Sequence, residues 1–172
     1  MDKINLQLPK LNYKNLDWNR SDNVSYQGRS DKFEEQNNFY QKIGYTENNT
    51  EYFQTFDIGD DIKNFINTLF DRCSCSIFKQ MPGQTLPQHT DTFYTFAEKN
   101  NINPKKCIRL NVFLEDWKTG HYFEINDTPV LQWKAGDAII IEYDKPHLSG
   151  NMGLEPKYTM QITGIYDEFK RS

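Results

Sequence analysis

The sequence predicts one mainly β domain of 172 residues, built as a sandwich or barrel. Its second half contains many short segments in which apolar and polar residues alternate, or in which apolar residues run together. Turn signals such as Pro82-Gly83, Gly136-Asp137 and Lys145-Pro146 separate these segments. The composition, 37% hydrophobic and 15% aromatic, supplies enough large side chains for one core and excludes a disordered chain.

The N-terminal part of the chain follows a different pattern. Residues 1–59 show no sustained period, which predicts short strands, turns and irregular covering segments. From Asp60 to Phe70, apolar residues recur every three or four positions. This spacing predicts a helix with one buried face, and Asp60 or Asp61 is available to cap its first free amides.

After residue 72 the apolar spacing becomes two, as expected for strands. Phe93 to Lys106 interrupts the series, because it is polar toward its end and finishes in Asn-Ile-Asn-Pro, so we expect an insertion that acts as a substrate-recognising lid. Residues 1–72 then form an N-terminal cover and a helix, and residues 73–166 form the core. The predicted strands are residues 74–79, 86–91, 107–114, 121–125, 130–133, 137–143 and 157–166.

Charge and cysteine content restrict the classes of partner. The 20 basic and 24 acidic residues are mixed along the chain and give a net charge of −4, which disfavours nucleic acid as a partner. The three cysteines include no C-x-x-C pair, which favours small buried side chains in a reducing compartment. Residues 1–11 lack the apolar run of a secretory signal, and no apolar run is long enough to span a membrane. We therefore expect a cytoplasmic protein with no membrane partner.

Two of the three histidines and one aspartate carry the strongest functional signal. His89 and Asp91 are one residue apart in a predicted strand, so their side chains share a face. His147 follows the apolar strand at 137–143 and the Lys145-Pro146 turn. Two histidines and one carboxylate suit iron(II) with three open positions, whereas a structural zinc site needs four protein ligands. A His-x-Asp pair alone can be a chance surface feature, and the placement of His147 favours the metal site.

A possible anion site follows in the last predicted strand. Lys157 opens this strand ten residues after His147, and Thr159 shares its face. An ammonium and a hydroxyl so placed could hold a dicarboxylate, with the ammonium binding the distal carboxylate and the hydroxyl adding a hydrogen bond. The alternative is a lysine at a strand edge that faces water.

Further motifs surround these residues between Cys73 and Tyr166. They are Met81-Pro82-Gly83 before His89, the segment Ile108-Arg109-Leu110-Asn111-Val112-Phe113-Leu114, Trp133 with Gly136-Asp137, and Asn151 after Pro146-His147.

With the His-x-Asp pair, the distal histidine and a basic residue ten positions later, this segment resembles the iron(II)/2-oxoglutarate oxygenase superfamily. That resemblance implies a double-stranded β-helix, a cupin-like jelly roll, with one or a few peripheral helices. The joint spacing is similar to the aspartyl/asparaginyl β-hydroxylase branch. Asp91 and Lys157 depart from that branch, which lacks the metal carboxylate and uses arginine for the cosubstrate, and both are closer to prolyl-4-hydroxylase-like members.

The resemblance also implies a function. Members bind Fe(II) and 2-oxoglutarate and use O2 to hydroxylate a C–H bond, with release of succinate and CO2. A protein side chain or an amino-acid-like molecule would be the substrate here. Two other classes remain open: a cupin that binds metal or a small ligand without oxygenase chemistry, and an interaction protein with an accidental His-x-Asp pair.

Three more residues are candidates for the site. The resemblance places Arg109 and Asn111 on the strand whose polar side chains contact 2-oxoglutarate, and for Arg109 the alternative is a salt bridge to a nearby acid. His121 follows Gly120 at a strand start, where it either lines the substrate mouth or is exposed.

Overall fold

The computed structural model describes residues 2–24 and 32–170, and over these residues it contains two antiparallel sheets and three α-helices. The predicted mainly β jelly roll is therefore confirmed. The helices are α1 (Lys32–Lys42), α2 (Gly59–Leu69) and α3 (Tyr94–Asn100), with short 3-10 helices at Pro104–Lys106 and Tyr166–Glu168. The strands are β1 (Lys3–Asn5), β2 (Asn19–Asp22), β3 (Glu51–Thr55), β4 (Cys73–Gln80), β5 (Gln84–His89), β6 (Cys107–Phe113), β7 (His121–Ile125), β8 (Thr128–Val130), β9 (Asp137–Glu142), β10 (His147–Asn151) and β11 (Lys157–Ile165).

The large sheet has the strand order β1-β9-β6-β11-β4-β3-β2. Alternation along its central strands separates an apolar face from a polar one. Leu110 of β6 pairs with Ile162 of β11, and both belong to the apolar cluster on the outer face. The next pair, Arg109 and Thr163, points to the other side and lines an interior cavity. The same two strands thus build both the apolar core and one wall of the cavity.

Helix α2 packs on the outer face of the large sheet. Its residues Ile62, Ile66 and Leu69 are buried in one cluster with the outward side chains of β6 and β11. The three-and-four spacing predicted this helix, and its observed bounds differ from the predicted ones by one residue. The large sheet and α2 therefore form the main apolar core.

The predicted cap of α2 is wrong. The residue at the cap position is Ile58, and no side chain caps the helix. Asp60 and Asp61 lie inside the first turn, where their negative charge favours the positive end of the helix dipole.

The small sheet has the order β5-β10-β7-β8, so the late strand β10 lies between two earlier ones. His147 at the start of β10 stands opposite His89 at the end of β5. Between the sheets, an apolar cluster closes one part of the interior, with the Phe113 ring stacked on Trp133 at a centroid distance of 3.9 Å. The members of this cluster are Phe113, Phe123, Ile125, Val130, Trp133, Ile139 and Ile141.

The structure differs from the sequence-based expectation in four further places. The strand predicted at residues 130–133 is displaced, because β8 covers Thr128–Val130 and shares only Val130 with the prediction. Helix α1 lies within residues 1–59, where short strands and irregular segments were expected. Strand β10 covers His147–Asn151, where no strand was predicted because the Gly150-Asn151 pair favours a turn. Strand β5 ends at His89, so Asp91 lies in the following loop and not in the strand. Among the described residues, no helix is long and apolar enough to cross a membrane.

Candidate metal centre

His89, Asp91 and His147 converge at one end of the cavity between the sheets. Their potential ligand atoms all lie within 4.8 Å of one another. The two imidazole rings are 4.2 Å apart between centroids, because pairing of β10 with β5 sets the two histidines opposite each other. The loop after β5 then returns Asp91 to the pair, and Asp91 Oδ2 lies 3.7 Å from His147 Nε2.

Backbone carbonyls fix the orientation of both rings. His89 Nδ1 lies 2.8 Å from the carbonyl of Pro87, and His147 Nδ1 lies 2.9 Å from the carbonyl of Lys145. A carbonyl only accepts hydrogen bonds, so each Nδ1 carries the proton and each Nε2 keeps its lone pair. This arrangement of a bonded Nδ1 and a free Nε2 is the usual one for a metal-binding histidine.

Burial keeps these imidazoles neutral. Burial, helped by the neighbouring His89, lowers the pKa of His147 to about 4. Burial also lowers the pKa of His89. Both rings are therefore in the neutral form that a metal requires at physiological pH.

Asp91 is held as a carboxylate by the charges around it. Burial raises the pKa of its carboxyl, but the Arg109 guanidinium and the two histidines outweigh burial, so the pKa lies below its ordinary value. Arg109 Nη1 is 2.6 Å from Asp91 Oδ2. The Asp91 backbone carbonyl accepts a hydrogen bond from Asp144 in the segment leading to His147, at 3.1 Å. The two loops that carry the ligands are thus joined.

These three side chains fit a divalent metal. The buried Nε2 of His147 has no hydrogen-bond partner among the described residues, an arrangement that costs free energy unless another group binds the nitrogen. Two imidazole nitrogens and one carboxylate oxygen form the donor set of open iron(II) sites, which leave positions for other ligands. The group could therefore hold a metal ion.

A cavity of about 670 Å³ extends from the triad between the sheets. Its walls include both sheets together with α1 and α3. The described parts of this lining contain the predicted residues Arg109, Asn111, Lys157 and Thr159. The structure therefore places the three metal candidates and the four cosubstrate candidates in one cavity.

Lys157 lies fully buried in this cavity among neutral acceptors. Its Nζ donates hydrogen bonds to Ser149 Oγ at 2.6 Å, to the Tyr122 carbonyl at 2.7 Å and to the Gly150 carbonyl at 3.0 Å. Within the described residues, no ion pair to a carboxylate is formed by Lys157. Burial lowers the pKa of its ammonium to about 7. The alternative, a lysine at a strand edge that faces water, is therefore wrong.

The other candidates differ in their surroundings. Asn111 is buried, and its Nδ2 finds no hydrogen-bond partner within residues 2–24 and 32–170. Arg109 forms the salt bridge that was its alternative role, and its Nε donates to Thr163 Oγ1 at 3.3 Å. His121 is neither exposed nor at the cavity mouth: it is buried, with Nε2 3.1 Å from the Glu155 carbonyl.

Sequence reasoning missed three residues that line the cavity: Ser149, Gln80 and Tyr40. Ser149 Oγ joins Lys157 to Gln80 by donating to Gln80 Oε1 at 3.0 Å. Tyr40 of α1 donates to the carbonyl of Gln88, the residue before His89, at 2.5 Å. The signal for Ser149 was its position two residues after His147, which places both side chains on one face once β10 is known to be a strand. Tyr40 carried no local signal, because its role depends on where α1 docks.

Comparisons with known proteins give similarities at the level of structure only. No protein-family model matches the chain, and no curated sequence matches it. A predicted oxalate decarboxylase from Thermotoga maritima is 14% identical, with a TM-score of 0.45 over 67% of this chain and 81% of that one. KdgF from a Halomonas species is 10% identical, with a TM-score of 0.42 over 65% and 78%. A cupin protein from Bacteroides fragilis is 15% identical, with a TM-score of 0.42 over 58% and 71%.

Proposed function

We propose that this chain is an iron(II)- and 2-oxoglutarate-dependent oxygenase that hydroxylates a C–H bond of a protein side chain or amino-acid-like substrate. Succinate and CO2 would be its other products. One observation carries the proposal: a triad of two histidines and one carboxylate shares its cavity with a buried lysine that pairs with no acidic residue in the described part of the chain. The triad suits a metal and the lysine suits an anion, and the cosubstrate would bind to both.

His89, Asp91 and His147 would hold the iron. When bound, iron(II) supplies open positions for the cosubstrate and O2 and the redox chemistry that cleaves a C–H bond. The chain contributes orientation, because the Pro87 and Lys145 carbonyls fix the two rings before any metal arrives. Such fixed ligands lower the entropy lost when the site is loaded.

Lys157 would bind the distal carboxylate of 2-oxoglutarate. A buried ammonium among neutral acceptors is unfavourable, and a carboxylate would provide the charge that it lacks. Its partner Ser149 is two residues beyond His147 on β10, or about 7 Å along the strand. An extended five-carbon dicarboxylate is suited to this separation. The unpartnered Nδ2 of Asn111 and the hydroxyl of Thr159 are available to the same ligand.

The cover of the cavity would recognise the substrate and exclude water. Helix α3 lies within the predicted lid, and Tyr94 and Phe96 of this helix line the cavity. Tyr94 is largely exposed, so it is accessible to a substrate that approaches the cavity mouth. Replacing residues 94–106 by a short Gly/Ser linker should impair substrate turnover more than iron binding, and equal loss of both would contradict a lid.

Anaerobic titration tests the proposed site. The metal-stripped protein is titrated with Fe(II) and then with 2-oxoglutarate, while the visible charge-transfer band of the iron(II)–2-oxoglutarate pair is recorded. We expect the band in the wild type, its loss in His147→Gln and its weakening in Lys157→Met. His121→Gln is the matched control, since His121 is buried outside the cavity, and it should keep the band.

The other outcomes separate the remaining classes. Bound metal without a band would replace the oxygenase by a metal-binding cupin without this cosubstrate. Absence of metal binding would remove the metal centre altogether and favour an interaction protein.

A further inference from the structure

Arg109 lies at the junction of the metal candidates, the large sheet and α3. Its Nη1 is 2.6 Å from Asp91 Oδ2, and its Nε donates to Thr163 Oγ1 at 3.3 Å. Its guanidinium carbon lies 5.6 Å from the ring centre of Phe93. These contacts explain why a charged side chain is held at a position that is only about one-fifth exposed.

The Asp91 oxygen that Arg109 contacts is also the one that lies near His147. Oδ2 is 2.6 Å from Arg109 Nη1 and 3.7 Å from the unpartnered Nε2 of His147. A metal between the histidine and the carboxylate would approach this same atom. The guanidinium and the metal are both cations, so their mutual repulsion and their shared acceptor set them in competition.

Phe93 extends this contact to α3. It is two residues after Asp91 and directly precedes α3, and its backbone has the left-handed conformation, with φ of 51°. A bulky residue adopts this conformation only when its surroundings impose it. The Phe93 ring is buried against Ala97 and Cys107, and the Arg109 guanidinium lies beside it. A change in the contacts of Arg109 would therefore alter the packing of Phe93 at the start of α3.

We propose that Arg109 is a positioning residue that takes the place of the metal in the metal-free protein. It holds Asp91 toward the two histidines and shares or releases Oδ2 when the metal binds, and this exchange couples metal binding to the start of α3 through Phe93. The inference rests on the proposed metal centre. It assigns Arg109 to the metal carboxylate and not to 2-oxoglutarate, where the family resemblance placed it.

The test compares metal binding in Arg109→Met and in the wild type. Mn²⁺ serves as the redox-silent probe, with titration calorimetry for its Kd and thermal unfolding with and without Mn²⁺. Removal of the competing cation should lower the Kd for Mn²⁺ about tenfold. By linkage, Arg109→Met should lower the Tm of the metal-free protein more than that of the loaded protein, so Mn²⁺ raises its Tm further than that of the wild type.

Two variants provide controls. Arg109→Lys keeps the positive charge and should bind Mn²⁺ with nearly the wild-type Kd. Thr163→Val removes only the acceptor of Arg109 Nε and should leave the Kd unchanged. If Arg109→Met fails to fold even with Mn²⁺, Arg109→Gln decides: a lower Kd supports the inference, and an unchanged or higher Kd overturns it.

Hydrogen exchange tests the coupling to α3. Mn²⁺ should alter amide exchange over Tyr94–Asn100 in the wild type and leave it unaltered in Arg109→Met. A Kd for Arg109→Met equal to or above the wild-type value, or identical responses of α3 in the two proteins, would overturn the inference while leaving the metal centre intact. A wild type that does not bind Mn²⁺ would overturn both.

Discussion

Lys157→Met should remove a pH dependence of stability that the wild type possesses. Burial lowers the pKa of Lys157 to about 7 in the folded protein, against 10.5 for an ordinary lysine. Between these two values, the unfolded chain carries a proton that the folded chain has lost. The folded state is therefore penalised fully below about pH 7, and its stability rises with pH toward about 10.5.

The size of this effect follows from the two pKa values. One proton more on the unfolded chain changes the free energy of unfolding by about 1.4 kcal/mol per pH unit. From about pH 7.5 to about pH 9.5, with partial protonation at the lower end, Lys157 contributes a gain of roughly 2.5 kcal/mol. Other titrating groups are common to both proteins, so the difference between wild type and Lys157→Met isolates this contribution.

Urea unfolding at several pH values across this range measures the difference. The free energy of unfolding of the wild type should rise relative to Lys157→Met by roughly 2.5 kcal/mol. Lys105→Met, at an exposed lysine, is the control and should give a curve parallel to the wild type. Parallel curves for wild type and Lys157→Met would refute the buried, weakly basic lysine. Saturating 2-oxoglutarate with metal should flatten the wild-type curve, because a paired carboxylate stabilises the ammonium.

Three further substitutions have defined outcomes. Asn111→Leu should weaken 2-oxoglutarate binding to the metal-loaded protein about tenfold, which is the effect of one lost hydrogen bond, while the Kd for Mn²⁺ stays constant. If calorimetry gives equal 2-oxoglutarate affinities for the variant and the wild type, Asn111 does not contact the ligand. Gly164→Ala should lower the free energy of unfolding, measured with urea, by about 1–3 kcal/mol, because the added Cβ would lie 2.4 Å from Phe70 Cδ1. Gly150→Ala is the control and should lower it less, because the nearest atom to its added Cβ is 3.8 Å away. Trp133→Ala should lower stability by about 3–5 kcal/mol, and a loss below about 1 kcal/mol would contradict its place in the core.

Local periodicity predicted those elements whose burial follows one simple rule. Helix α2 shows the three-and-four spacing of a helix with a single buried face, and its bounds were predicted to within one residue. Strand β7 was predicted at its observed bounds, because it alternates and is bordered by Gly120 and Asn126. In these segments, local preference and tertiary packing favour the same structure.

Elements stabilised mainly by their surroundings were missed. Strand β10 contains Gly150 and Asn151, which favour turns, yet it has a strand partner on each side and its central position decides its conformation. Helix α1 has a polar sequence without a regular apolar stripe, and it docks onto β5 through the hydroxyl of Tyr40. Neither context is visible in a short window of sequence.

The candidate site likewise contains residues that the sequence could identify and contacts that it could not. Residue types and spacing were sufficient to select His89, Asp91 and His147, which the structure brings together. A salt bridge was one of the two roles predicted for Arg109, but its partner could not be predicted, because Asp91 lies in the loop after β5 and not in the strand. The hydrogen-bond partners of Lys157 could not be predicted either, because Ser149 belongs to β10, which was not predicted as a strand.

The insertion of β10 between β5 and β7 has a consequence for synthesis of the chain. Strands β5, β7 and β8 leave the ribosome first, but β5 and β7 share no ladder until β10 arrives between them. His147 lies 58 residues after His89 in the sequence, so the nascent chain has no complete ligand set until the small sheet can close. A truncated or misregistered chain would therefore lack the complete ligand set of the proposed metal centre.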